Sequence, residues 1–185
     1  NFSNGEQIKF VVEILQDGVS RIDTVNIPMY LSTEEILFAK GELNGSWTMN
    51  DWGTEYDPYS NSFVLSDSPQ ALYKDSKDNY LVMSKPLKLS EPTILEFTTR
   101  WQIERVGDFG IVDISTNNGQ DWFPLRSSRM NKGNYTKNGK QDSSRYGFYG
   151  NFPVWFKQEI DLFQYTNANI LLRFGLISDK SGHYN

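Results

Sequence analysis

The chain of 185 residues contains no cysteine. That excludes disulfides, thiolate metal sites and a cysteine nucleophile. Histidine is almost as scarce, with His183 the only one. A Ser-His-Asp triad, a histidine zinc site or a two-histidine iron site calls for imidazoles the chain does not offer. His183 itself reads as an exposed residue near a chain end. No apolar run approaches the ~20 residues of a membrane-spanning helix, and no secretory leader stands at the start. Positive charge is in deficit: 18 Lys and Arg face 23 Asp and Glu, a formal net charge of −5. That balance argues against nucleic acid, which is gripped by Lys and Arg neutralising phosphates. The chain begins at Asn1 rather than at methionine. We read it as a piece of a longer protein whose leader would lie upstream.

Aromatic residues, in contrast, are abundant at 15%, beside 38% hydrophobic residues. This is the composition of a folded domain rather than a disordered chain. The length suits one domain, or one domain and a fragment of another.

Period-two patterning dominates. In "LEFTTRWQIE" (95–104), Leu95, Phe97, Thr99, Trp101 and Ile103 share one face, and Glu96, Thr98, Arg100, Gln102 and Glu104 the other. That alternation marks a half-buried strand. "NILLRFGLIS" (169–178) repeats it. "FGIVDIS" (109–115) is apolar on both faces, which places it inside a sheet. "IKFVVEIL" (8–15), the Asp17-Gly18 turn and "SRIDTVNIPMYL" read as a hairpin. Asn117-Asn118-Gly119 predicts a tight turn with positive φ, with Trp122 packing across the hairpin. Asp113 reads as a partnered polar residue in an apolar strand.

Helix signals are poor. Ser32 with Glu35 makes a capping-box pattern, yet only about two turns precede Gly41, which is marginal for a helix, so strand is favoured. "DLFQYTN" (161–167) suits a single helical turn. The polar, basic stretch 126–151 is long for a loop in a compact domain, which makes it functional or disordered. Asn-X-Ser/Thr triplets start at Asn1, Asn44 and Asn134; they carry sugar only in a eukaryotic secretory setting. The whole predicts an all-β sandwich, with residues 1–41 as an N-terminal hairpin or linker and 42–185 as the main domain.

Three segments then carry a resemblance. "FVLSDSPQALYKDSKDNYLVMSKPLKLS" (63–90), "LEFTTRWQIERVGDFGIVDISTNNGQDWFPL" (95–125) and "VWFKQEIDLFQYTNANILLRFGLISD" (154–179) follow in order. They resemble MAM and galactose-binding-like jelly-roll modules that accompany secreted bacterial peptidases of the zinc carboxypeptidase-like and immune-inhibitor-A-like kinds. The resemblance implies a jelly-roll sandwich that is secreted or cell-surface, noncatalytic, and an accessory to a parent peptidase. In that pattern an Asp-Asp strand follows the final Ser-Asp, where this chain reads "GHYN". Residues 1–41 fall outside the match and look like the end of an Ig-like domain or an added hairpin. The implied partners are the parent's peptidase domains and a glycan or protein at the cell surface. A carbohydrate-binding module is the alternative, and a glycoside hydrolase fragment stands behind it.

Candidate sites are few. Asp67, Asp75 and Asp78, among Ser66, Ser68 and Ser76, offer the hard oxygens that Ca²⁺ takes six to eight of. The resemblance singles out Asp67 for a structural Ca²⁺. No other cofactor is expected. Glu104 and Asp108 form a carboxylate pair at a strand end, the type of pair glycoside hydrolysis uses; a structural role is favoured. Trp52, beside Gly53 in a polar loop, is the best exposed aromatic for stacking on a ligand.

Overall fold

The computed structural model describes the backbone of residues 7–16 and 19–28 and the full chain over 45–180. The Ser32–Gly41 stretch, the Asn1 and Asn44 triplets and His183 lie outside the described residues. Backbone contacts divide the chain into two units, Asn1–Phe38 and Ala39–Asn185. The first holds β1 (Gln7–Gln16) and β2 (Val19–Pro28), an antiparallel pair whose register closes at Gln16 opposite Val19. The Asp17-Gly18 turn between them lies outside the described residues.

The described residues of the second unit form strands and one 3₁₀ turn, Phe163–Tyr165, where a single helical turn is expected. Its first strands are β3 (Trp47–Met49), β4 (Gly53–Asp57), β5 (Ser62–Ser66), β6 (Asp78–Met83) and β7 (Leu87–Lys88). Next come β8 (Ile94–Ile103), β9 (Phe109–Ser115) and the short β10 (Phe123–Pro124), β11 (Asn131–Lys132) and β12 (Tyr146–Gly147). The long β13 (Gly150–Asp161) and β14 (Asn169–Ile177) close the set. One sheet runs β10-β9-β14-β6-β3, with β7 also on β14; β8 pairs β13, and β4 pairs β5, all antiparallel. The chain is therefore all-β and sandwich-like.

The core lies between the large sheet and the β8–β13 layer. Val112, Ile114, Leu172 and Leu176 come from the first, Trp101, Ile103 and Ile160 from the second, with Phe97 packed against them. These are the apolar positions of the period-two pattern. Edge-to-face and stacked rings fill the interior, Phe97 on Phe174 at 5.2 Å and Trp101 on Phe152 at 4.7 Å between centroids. Such pairs add ~0.5–1.5 kcal/mol to the burial of their area.

β9 is buried along its whole length. The second face of that strand is covered by the basic 126–151 stretch, which explains a segment too long for an ordinary loop. Tyr149 meets Phe109, and Phe148 and Gly110 exchange backbone hydrogen bonds at 2.8 Å. Arg145 reaches Asp113, which Arg173 also grips through Nε at 2.9 Å. The fully buried Asp113 thus carries two guanidinium partners. Arg173 in turn lies between the rings of Tyr80 and Trp122, at 4.5 and 4.4 Å. The turn at Asn118 and Gly119 has φ of 59° and 84°, the left-handed region that Asn and Gly tolerate.

β13 carries a bulge. Phe152 pairs with Trp101 and Phe156 with Thr99, so four residues advance on β13 against two on β8. The extra residues bend the strand and re-aim Trp155.

Candidate functional site

Three acids converge where β8, β9 and β14 end. Glu104 follows β8, Asp108 precedes β9 across the Gly107 turn, and Asp179 follows β14. A carboxylate oxygen from each lies within 4.8 Å of the others. Asp108 is wholly buried. Its Oδ2 accepts from the Tyr73 hydroxyl at 2.7 Å, and its Oδ1 from the Asp179 backbone N–H at 2.7 Å. The Glu104 backbone N–H donates to the Tyr73 oxygen at 3.1 Å. Burial pushes the Asp108 carboxyl above its ordinary range against those hydrogen bonds, and the charges of Asp179 and Asp75 push the same way. Burial likewise raises the Tyr73 hydroxyl, with Asp108 and Glu104 adding to it. Three carboxylates this close offer the hard oxygens that a cation such as Ca²⁺ takes.

The expected calcium set disperses. Asp78 is exposed and pairs with Lys140 at 2.9 Å. Asp67 accepts from the Ser68 hydroxyl at 2.6 Å. Burial raises its carboxyl, with Glu55 adding to the effect. Asp75 is exposed, and its charge acts on Asp108. Among the described residues, the one trio of carboxylates close enough to share a metal ion is Glu104, Asp108 and Asp179. The pair Glu104 and Asp108 was legible from spacing; Asp179 joins them only because β14 runs beside β9, a long-range pairing that no local pattern reveals.

Trp52 is partly buried, and its indole N–H is enclosed with no hydrogen-bond partner among the described residues. The exposed rings of this region belong to the β4–β5 hairpin instead. Tyr56 and Phe63 face each other across the hairpin at 5.7 Å, 50% and 57% exposed, and Tyr59 at its tip is 84% exposed. The hairpin is held from within. Asp57, buried at the end of β4, accepts from the Ser60 N–H at 2.7 Å and from Trp155 Nε1 at 2.7 Å, and pairs with Arg100 at 2.9 Å. The Arg100 guanidinium lies 5.6 Å from the Tyr59 ring and 5.2 Å from the Trp155 ring, within reach of cation–π attraction. Burial opposes the charge on Asp57, but hydrogen bonds from Ser60 and Trp155, with Arg100, hold its carboxyl below the ordinary range. The exposed rings therefore stand on a braced hairpin.

Compared with known proteins, the chain matches no family model, no curated sequence and no solved structure. What fold and sites define is a class: an all-β, sandwich-like protein with a braced aromatic hairpin and a cluster of three acids around the buried Asp108. No helix among the described residues is long and apolar enough to cross a membrane.

Proposed function

We propose that the sandwich is a noncatalytic accessory module of a secreted zinc carboxypeptidase-like protein, which positions its parent by binding a surface ligand. The observation that carries the binding role is the β4–β5 hairpin, with Tyr56, Tyr59 and Phe63 exposed at 50%, 84% and 57%. Exposed aromatic clusters mark interaction sites, and Tyr, Trp and Arg are the residues that dominate such contacts. The Asp57–Arg100–Trp155 bracing supports the reading further, because rings already held in place lose little freedom on binding. The jelly-roll form and the secreted setting belong to the same proposal and rest on the sequence resemblance. So does a structural Ca²⁺, for which Glu104, Asp108 and Asp179 offer a closer donor set than Asp67, Asp75 and Asp78. The alternative ligand class is carbohydrate, which aromatic rings beside Arg and Asp can stack on and hydrogen-bond. Binding of the isolated module to a glycan array and to the parent's peptidase domain tests the proposal. Retention by either, lost on Tyr59→Ala, supports it; retention by neither sinks it.

A further inference from the structure

A cavity of about 240 Å³ is lined by the 67–77 connection, by Asn79 of β6 and by Leu176 and Ser178 at the end of β14. Asn79 of β6 lines it and is 8% exposed. The Asn79 amide is oriented by its own donor, since Nδ2 donates to the Asp67 carbonyl at 2.7 Å. Its Oδ1 is left enclosed with no hydrogen-bond partner among the described residues. A buried acceptor without a donor is a standing cost of the fold, and such a group is met by a water, an ion or a bound polar group. The Asp67 carboxyl on the same wall has one hydroxyl donor, Ser68, at 2.6 Å.

The remaining lining decides what the missing donor is. Asp51 and Asp67 line it together with Lys74 and Lys77, and Lys74 lies 3.9 Å from Asp51. Two ammonium groups beside the opening oppose a bare metal ion or an organic cation, and two carboxylates oppose an anion. What fits is a neutral ligand that both donates and accepts. Leu72, Tyr73 and Leu176 add an apolar surface for C–H groups. The volume falls below the ~300–1,000 Å³ of pockets for drug-sized molecules, so one ring fills it. The connection is also fastened in place, by Ser178 Oγ donating to the Lys74 carbonyl at 2.6 Å and by the Ser76 N–H donating to the Asp179 carbonyl.

We infer that this cavity is a subsite for a single sugar ring, whose hydroxyls donate to Asn79 Oδ1 and Asp67 and accept from Lys77. The inference rests on the reading of the sandwich as a binding module and gives a ligand of that module its chemical class, at a place separate from the aromatic hairpin.

The test is a ¹⁵N–¹H NMR titration of the whole chain with the methyl glycosides of glucose, galactose and mannose, with CaCl₂ and NH₄Cl as separate arms. The expected result is saturable shifts from at least one glycoside at the Asn79 side-chain amide and at the Ser68 and Lys77 amides. Asp67→Asn, which keeps the shape, should weaken that binding at least tenfold, and Glu91→Gln, on a distant loop, should not change it. If Asp67→Asn does not fold, Lys77→Ala at an exposed position carries the same expectation. No saturable shift at these amides with any glycoside, or shifts there with ammonium alone or with Ca²⁺ alone in an Asp179→Asn background, would overturn the subsite. Glycoside shifts confined to Tyr56, Tyr59 and Phe63 would overturn it too, while leaving the binding-module reading intact.

Discussion

Trp155 and Asp57 are 98 residues apart in sequence, and the indole N–H of one donates to the carboxylate of the other at 2.7 Å. The contact joins the β13 bulge to the turn end of the aromatic hairpin. Removing the bulge or the donor should therefore loosen the hairpin and leave the core alone. Trp155→Phe keeps an aromatic ring and deletes the N–H. It should lower the melting temperature and speed amide exchange at Ser60, whose N–H shares the Asp57 carboxylate. Unchanged exchange at Ser60 would show that the brace does not hold the hairpin.

Asp57 and Asp108 should answer acid in opposite ways. Asp108 is raised by burial first, so the native state takes its proton before the unfolded chain does. Its contribution to stability is full below the ordinary carboxylate value of about 3.9 and is lost as pH rises through the raised native value. Asp57 is opposed by burial, yet its hydrogen bonds and Arg100 leave it lowered. Its contribution is present above about 3.9 and is lost as pH falls through the lowered native value. Calorimetric melts across the acid range should show that Asp108→Asn removes part of the gain in stability on acidification from neutral pH. Asp57→Asn should remove part of the loss in strong acid. A variant whose pH profile parallels the wild type in its own window would contradict the assignment for that residue.

Calcium binding would override the first of these effects, because a cation holds Asp108 ionised. If Glu104, Asp108 and Asp179 take Ca²⁺, free ion at ~100 times Kd stabilises the fold by about 2.7 kcal/mol. EDTA should lower the melting temperature and added Ca²⁺ restore it. Asp179→Asn should abolish the increment, whereas Asp78→Asn, whose native carboxylate pairs with Lys140, should keep it. An increment surviving Asp179→Asn would move the ion elsewhere, and no response to EDTA or Ca²⁺ would remove it.

Asp113 is buried between Arg145 and Arg173. Asp113→Ala leaves two guanidinium groups facing an apolar gap, and loss of a buried partner of this kind costs ~3–5 kcal/mol. Because Arg145 belongs to the 126–151 cover, limited trypsin treatment should also cut the variant first within that stretch. Urea melts and mass spectrometry of the fragments check both parts; a loss under about 1 kcal/mol would mean that the ion pairs contribute as surface pairs do.

The strands were legible because their physics is local. The alternation over 95–104 places Phe97, Trp101 and Ile103 toward the core in β8, and the Asn118-Gly119 turn takes the positive φ that its residues allow. The functional geometry was legible only in pieces. Asp67, Asp75 and Asp78 are close in sequence, but the connection that bears them sends Asp78 to Lys140 and Asp75 toward Asp108. Trp52 sits in a polar stretch and is nonetheless partly buried, with its indole nitrogen enclosed. Tyr59 carries no marking in sequence: its platform depends on Arg100 and Trp155, brought in from strands far along the chain.

The central claim is that the β4–β5 hairpin binds a partner, and the most direct measurement compares wild type with Tyr59→Ala and Phe63→Ala for binding and for melting temperature in parallel. Both side chains are more than half exposed, at 84% and 57%, so truncation should leave melting nearly unchanged. The binding-module reading predicts that the wild type retains ligands on the glycan array or binds the parent's peptidase domain, and that each variant loses at least tenfold in affinity, ~1.4 kcal/mol. Wild-type binding that both variants keep in full, or no binding to either target, would contradict it.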